Sequence, residues 1–447
     1  MTATRPSPRR ILTAPEPRRA KHALTPGQAD TPLGPFAYAF ASIYITISIV
    51  LAGPAYSMEP YVWTLTLAFP VGALLLAPRG HARRVVFDGP LIMLIAWVGL
   101  SVLWSYNPEF GIFRVRRDLP LWFFASLMAS FLPKPDVIAA IKRGAIIAVG
   151  LTIFAVTFVP ETRQNESQGI YVEDVPGWHG YFIHKNVLAP FLIFALVLTL
   201  HFESERIRRG IYLAVLAVLL VGSDSATGIS AAIFVGALYV WFRFLHRSDV
   251  GRRSTAYVVS SIAVGLVGLM GAAASLSILT SAAGKDLTFS GRTYIWGGVI
   301  NAIQERPLVG YGIGGVFQDG QSAITRSIWR DIGFHVPHSH SGTLDVWLHF
   351  GLVGVVLFAI LFLTGVAKGV RLLRRSPRTG EWLLTLLAAQ LLMGLSENVF
   401  LGAWIVYIGL ARGIAQRELN DIARNDSELA LQEVLTSRKE LSEHQPR

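Results

Sequence analysis

The sequence predicts an all-α fold, a polytopic transmembrane helical bundle of about 10–12 spans with a long external loop containing amphipathic helices. Three observations predict it. First, 52% of the 447 residues are hydrophobic and only 15% are charged. Second, long apolar runs recur, among them "YAFASIYITISIVLAG", "AIIAVGLTIFAVTFV", "YVVSSIAVGLVGLMGAAASLSIL" and "GLVGVVLFAILFLTGV". Runs of roughly 20 residues match a hydrocarbon core of about 30 Å, where each helix must pair its own backbone polar groups. Third, Lys and Arg are concentrated in alternate connections, as the inside preference for positive charge requires. No cysteine occurs, so disulfides and thiolate metal sites are excluded. The net charge of +11 follows from that membrane bias and implies no nucleic-acid partner.

Taken in order, residues 1–35 are polar, basic and proline-bearing, with Arg9, Arg10, Arg18, Arg19 and Lys21, and read as a disordered cytoplasmic tail. The basic stretch is too long for a signal peptide and no cleavage site follows the first apolar run. Spans are expected near 36–53, 60–77, 86–104, 119–132, 144–159, 186–202, 210–222, 228–245, 256–280, 344–366, 382–397 and 400–412. Residues 413–447 form a charged, helical cytoplasmic tail. With both termini inside, most of the 40 Lys and Arg residues fall on the cytoplasmic side. The remainder sit in three external segments: 105–120, 160–185 and a long loop over about 282–342. A long loop in a compact membrane protein is usually functional.

The external cations oppose the charge rule and need a reason. Arg114, Arg116 and Arg117, in "RVRR", either grip an anion through paired N–H bonds or snorkel at the interface. "GWHGYFIHKN" brings His184 and Lys185 to a membrane boundary; a helix start with aromatic anchors is its simpler reading, an added anion contact the sharper one. "SGRTYIWGGVINAIQERPLVGYGIGG" opens with Ser290 as a plausible N-cap. It then repeats Ile295, Trp296, Val299, Ile300 and Ile303 at helical spacing and ends at Pro307 and Gly310. It reads as an amphipathic helix on the outer membrane surface, with Arg292 in its first turn, where the helix dipole disfavours a cation.

"HVPHSHSGTLDVWLHFGLVG" places His335, His338 and His340 ahead of a span, with Pro337 suited to open the helix. A helix N-terminus lowers an imidazole's pKa and keeps it neutral, as a general base must be. Three readings stand: His338 or His340 as base, histidines bonded for structure, or a metal set with Asp331 or Asp345. Glu397, ending a late span, is a functional candidate if it lies at membrane depth and a plain surface carboxylate if not.

The segments at 100–118, 177–190, 291–317 and 338–354, in this order, resemble the O-antigen ligase and exopolysaccharide polymerase superfamily of bacterial membrane glycosyltransferases. "W-x-G-x-x-x-HKN" is most similar to the exopolysaccharide branch that makes succinoglycan-type polymers. The resemblance covers about residues 36–412, the transmembrane domain between the tails. It implies a cell-membrane enzyme with an external active site and no metal or other cofactor. The implied donor is an undecaprenyl-diphosphate-linked glycan and the implied acceptor a saccharide. Membrane lipid and other polysaccharide-assembly membrane proteins are the further partners. The family's essential histidine maps to His340, with Ser341 where the family has Asn, which leaves His338 in play as catalytic. The essential arginines map to Arg292 and the Arg114–Arg117 group, and Lys185 is a further phosphate-binding candidate. The reading requires His340, Arg292 and the Arg114–Arg117 group to share one lipid-open cavity. A polyprenyl-linked glycan flippase is the rival; it calls for charges at mid-membrane and repeat halves, and neither is evident.

Overall fold

The computed structural model describes residues 34–51, 59–78, 86–165, 175–247, 265, 292–317, 322–400 and 402–443. Helices occupy the predicted spans that fall among the described residues. In chain order they are α1 (Pro35–Leu51), α2 (Glu59–Leu75), α3 (Gly89–Leu100), α4 (Pro108–Phe131), α5 (Lys134–Phe158), α6 (Lys185–Phe202), α7 (Arg206–Gly222) and α8 (Ala226–Arg247). They continue as α9 (Arg292–Glu305), α10 (Ala323–Ile332), α11 (Gly342–Arg375), α12 (Pro377–Gly394) and α13 (Ala403–Glu443). The expected span at 256–280 and the Ser290 cap lie outside the described residues, residue 265 excepted. Other than helix there is a two-residue antiparallel ladder pairing Gln164–Asn165 with Val175–Pro176.

Pro at the first or second helical position opens α3, α4, α5 and α12, where its missing N–H costs nothing. Asn107 caps α4 by accepting from the Phe110 N–H. α4 and α5 each start about three turns before the predicted apolar segment. Those early turns are polar on one face only, and α4 uses them to carry its arginines inward.

The bundle is an all-α membrane protein. α5, α6, α8 and α11 are long and apolar enough to cross a bilayer, and α1 and α3 are shorter apolar helices. Large apolar side chains cover the outside, including Leu75, Leu103, Phe154, Val221 and Leu363, as a lipid-facing surface requires. α13 lies along α4, with Gly413 so close to Ser126 that an added Cβ would meet its carbonyl oxygen at 2.4 Å. Small residues permit such backbone approach between membrane helices.

α11 is broken at Gly351, which has φ 68° and ψ −172°. The segment Pro307–Gly315 threads beside the break and replaces the lost helical bonds. The Tyr311 N–H donates to the Leu348 carbonyl (3.0 Å), that of Gly312 to His349 (2.8 Å), and that of Leu352 back to Pro307 (2.8 Å). Trp97 Nε1 donates to the freed Phe350 carbonyl (2.9 Å). A Cβ on Gly351 would stand 2.1 Å from the Leu308 oxygen, so the glycine is required by both conformation and space.

α9 has the predicted apolar spacing, but its face packs on protein. Ile295, Val299 and Ile303 join Tyr311, Ile328 and Leu348 in a small second core with α10. The expected helix on the membrane surface is corrected accordingly: the folded loop offers the stripe a better-packed partner than lipid.

At the end of the bundle that holds the predicted cytoplasmic connections, buried ion pairs join the helices. Arg412, fully buried, donates to both Asp88 oxygens at 2.6 Å and to the Leu361 carbonyl at 2.5 Å. Lys368 lies 3.6 Å from the same carboxylate. Replacing Asp88 by Ala strands a buried guanidinium and is expected to cost about 3–5 kcal/mol, read as a lowered Tm in detergent. The paired change Asp88→Leu with Arg412→Met should recover most of it, because no unpaired charge then remains.

Candidate active site

At the opposite end of the bundle a cavity of about 570 Å³ opens between α4, the start of α6, the loop before α11 and the α12–α13 loop. Arg114, Arg117, His184, His338, His340 and Glu397 line it.

The cations on α4 are set by helical spacing. Asp118 lies four residues after Arg114 and beside Arg117 in sequence, and accepts from both. Arg114 Nε is 2.8 Å from Oδ2, Arg117 Nε is 2.7 Å from Oδ1, and Arg117 Nη2 is 3.0 Å from Oδ2. Two guanidiniums around one buried carboxylate leave net positive charge facing the cavity. The Arg117 guanidinium also lies over the Phe113 ring at 5.5 Å. Arg116 is exposed and does not line the cavity. Two residues on from Arg114, at about 100° per residue, it emerges on another face of the helix.

Lys185 is likewise directed elsewhere. It is buried, and its ammonium donates to the Pro176 carbonyl at 2.7 Å and to Asp224 at 3.4 Å. It ties the short ladder to the α7–α8 turn. Its neighbour His184 is the one that faces the cavity. His184 caps α6, its Nδ1 accepting from the Asn186 N–H at 3.1 Å, so in the neutral ring Nε2 carries the proton. Burial pushes its pKa down, against the opposing pull of Glu397.

The histidine loop is built from its own polar groups. The Ser339 N–H donates to Asp345 (3.0 Å), Ser339 Oγ donates to the Ser341 carbonyl (2.8 Å), and Trp296 Nε1 donates to the Ser339 carbonyl (3.1 Å). Ser341, where the resembling family has Asn, is the N-cap of α11. The helix therefore starts after the histidines and not at Pro337. This network holds His340 at φ 52°, a left-handed conformation that a non-glycine residue keeps only when its surroundings enforce it. The His340 N–H donates to His338 Nδ1 at 3.1 Å, and the two rings stand 4.0 Å apart at 48°. His335 stacks instead on Trp329 at 4.0 Å, and Asp331 is exposed. The three histidines thus do not converge, and no group of His, Asp and Glu suited to a metal ion occurs among the described residues.

Glu397 joins the two halves of the site. Arg292 Nη2 donates to its Oε1 at 2.9 Å, and its Oε2 lies 3.8 Å from His340 Nδ1. That oxygen accepts no hydrogen bond among the described residues. Burial pushes the Glu397 pKa up, with Arg292 opposing. Burial, then Arg292 and His184, push His340 down to about 3. His338 is held well below the usual histidine value, by burial first and His340 second. Of these residues, Asp118 and the bridging position of Glu397 were not assigned from the sequence. An acid four residues after an external Arg was the available signal for Asp118, and an ionisable residue at the end of a span was that for Glu397.

Residues 211–359 match the family profile described as O-antigen ligase, a range that contains Arg292, His338 and His340. The chain is also 26% identical over 196 residues to "Exopolysaccharide production protein ExoQ" of Rhizobium meliloti (strain 1021), covering 42% of each chain. It is 20% identical over 195 residues to an uncharacterized protein of Haemophilus influenzae (strain ATCC 51907 / DSM 11121 / KW20 / Rd), covering 40% of this chain and 49% of that one. The alignments thus span less than half the length of each relative. The order of the motifs, the profile match over residues 211–359 and the ExoQ likeness agree, and over these segments the chain is similar to the O-antigen ligase family.

Proposed function

We propose that this protein is a membrane glycosyltransferase that moves glycan from an undecaprenyl-diphosphate-linked donor to a saccharide hydroxyl on the external face of the cytoplasmic membrane. One observation carries the reading: the Arg114–Asp118–Arg117 unit and Glu397, itself held by Arg292 from behind the cavity wall, meet two neutral imidazoles at a single cavity. Cationic donors fixed where a diphosphate would leave stabilise the charge that develops on it, with no reorganisation at the moment of reaction.

In the proposed step the acceptor oxygen attacks the anomeric carbon as the bond from that carbon to the diphosphate oxygen breaks. The acceptor proton passes to His340, and the polyprenyl diphosphate leaves against Arg114, Arg117 and Arg292. A single displacement inverts the anomeric centre. Glu397, its Oε2 3.8 Å from Nδ1, would steady the imidazolium as it forms, leaving Nε2 for the acceptor. Before the donor enters, Arg292 suppresses protonation of His340. A diphosphate beside Arg292 offsets that cation and raises the ring's proton affinity when a base is needed. Arg116 and Lys185, directed away from the cavity, have no part in the step.

With purified protein and lipid-linked donor, His340→Ala is expected to lower transfer by about 10²–10⁴-fold and Arg292→Ala by about 10²–10³-fold. Arg116→Ala should leave transfer close to that of the native protein. Retained transfer in both of the first two variants sinks the assignment, and movement of labelled lipid without transfer favours the flippase. Removal of the gene separates two forms of the reaction: accumulated single repeat units mark a polymerase, long lipid-linked chains a ligase.

The pH profile is a second test. His340 is neutral in the donor-free site at every pH well above 3, so falling pH should spare it down to about 5. The acid limb of kcat/KM is therefore expected well below the ordinary histidine value of about 6.5. A rate that halves near pH 6.5 would show that the base is not held in this environment.

A further inference from the structure

A second and larger cavity, of about 1010 Å³, lies at the other end of α6, where α6 ends and α7 begins, against the last turns of α8 and the first turn of α12. The 18 residues of α6 separate it from the candidate active site by about 27 Å. The proposed reaction has no use for it.

Its lining is strongly cationic. Arg206 and Arg209 come from α7, Arg243 from α8 and Arg378 from α12. The two acids in the wall are already engaged. Glu203 is bound by Lys142 at 2.5 Å and lies 3.6 Å from Arg208, and Glu381 is bound by His246 at 2.7 Å. Arg209 and Arg243 both donate to the Tyr239 hydroxyl, at 3.3 and 2.9 Å, which holds their guanidiniums toward the space. Arg206 and Arg378 form no ion pair among the described residues. A buried polar group also faces the cavity. His201 is 7% exposed, its Nδ1 is occupied by the Val197 carbonyl at 2.9 Å, and its Nε2 has no partner among the described residues.

Beside this cavity, and sharing Glu203 with it, runs an apolar groove of about 240 Å³ between α5, α6 and α7. Ile146, Val149 and Ile153 of α5 face Leu198 of α6 and Val215 of α7 there. A cationic chamber beside an apolar groove, the two sharing Glu203 in their walls, matches a molecule with an anionic head and a hydrocarbon tail. Basic pockets between membrane helices are suited to such headgroups.

We propose that this cavity and groove form a binding site for an anionic phospholipid, its phosphodiester head among Arg206, Arg209, Arg243 and Arg378 and one acyl chain in the groove. Bound there, the lipid would join α6, α7, α8 and α12, of which α6 starts at His184 and α12 leads into Glu397 at their other ends.

The test is native mass spectrometry of the full chain in detergent, with phosphatidylglycerol or phosphatidylcholine of identical chains. The native protein is expected to retain phosphatidylglycerol preferentially. Arg206→Gln, Arg243→Gln and Arg378→Gln together, all at exposed positions, should reduce that retention at least about tenfold with Tm in lipid-free detergent unchanged. Gly150→Leu probes the groove separately, since a side chain there meets nothing within 4 Å and projects into the acyl path. It should weaken phosphatidylglycerol and leave inorganic phosphate unaffected. Equal retention of the two lipids overturns the proposal, as does retention indifferent to the triple change. Competition by inorganic phosphate with no effect of Gly150→Leu would assign the chamber to free phosphate and also overturn it.

Discussion

The candidate site depends on buried carboxylates that hold cations in place. Glu397 is the critical one. A carboxylate out of water is costly unless a cation and hydrogen bonds compensate it, and Arg292 supplies both at 2.9 Å. That requirement draws the start of α9, the loop before α11 and the α12–α13 loop to one point. Asp118 performs the same service for Arg114 and Arg117 on α4. In each unit the carboxylate partly neutralises the guanidinium. A membrane protein can therefore keep several arginines at one cavity without the mutual repulsion that would open it.

Backbone geometry supplies the second constraint. The glycine-rich segment 307–315 is hydrogen-bonded along the break in α11, and it also reaches the turn that joins α3 to α4. The Ile313 N–H donates to Ser101 Oγ at 3.0 Å, and Ser105 Oγ donates to the Ile313 carbonyl at 2.9 Å. One extended segment thus sets the helix bearing the arginines against the helix that follows the histidines. Gly310 and Gly312 have positive φ and lie where a Cβ would strike neighbouring backbone at 2.6 and 2.4 Å. The glycines are there because two backbones meet.

Most of the secondary structure was legible beforehand, because a membrane helix announces itself by length and apolar content. Elements whose partners lie far away were not. The stripe of Ile295, Val299 and Ile303 was visible at helical spacing, but nothing in the stripe distinguishes a lipid surface from a second protein core. Lys185 and His184 are adjacent, and only the turn at Asp224 decides that the lysine points away while the histidine faces the cavity. Arg116 could have been set aside from helix periodicity once α4 was known to begin at Pro108.

By itself the sequence determined that the chain is a helical membrane protein, where most of its described helices lie, and which residue types could handle an anion and a proton. It could do so because hydrophobic length, helical period and charge placement are local properties of consecutive residues. Which cations face the cavity, which carboxylate joins them and which histidine stands beside it were decided by tertiary structure. Those outcomes turn on segments as far apart as Arg114 and Glu397 lining one cavity and on Arg292 reaching Glu397, and no local pattern encodes the distance between them.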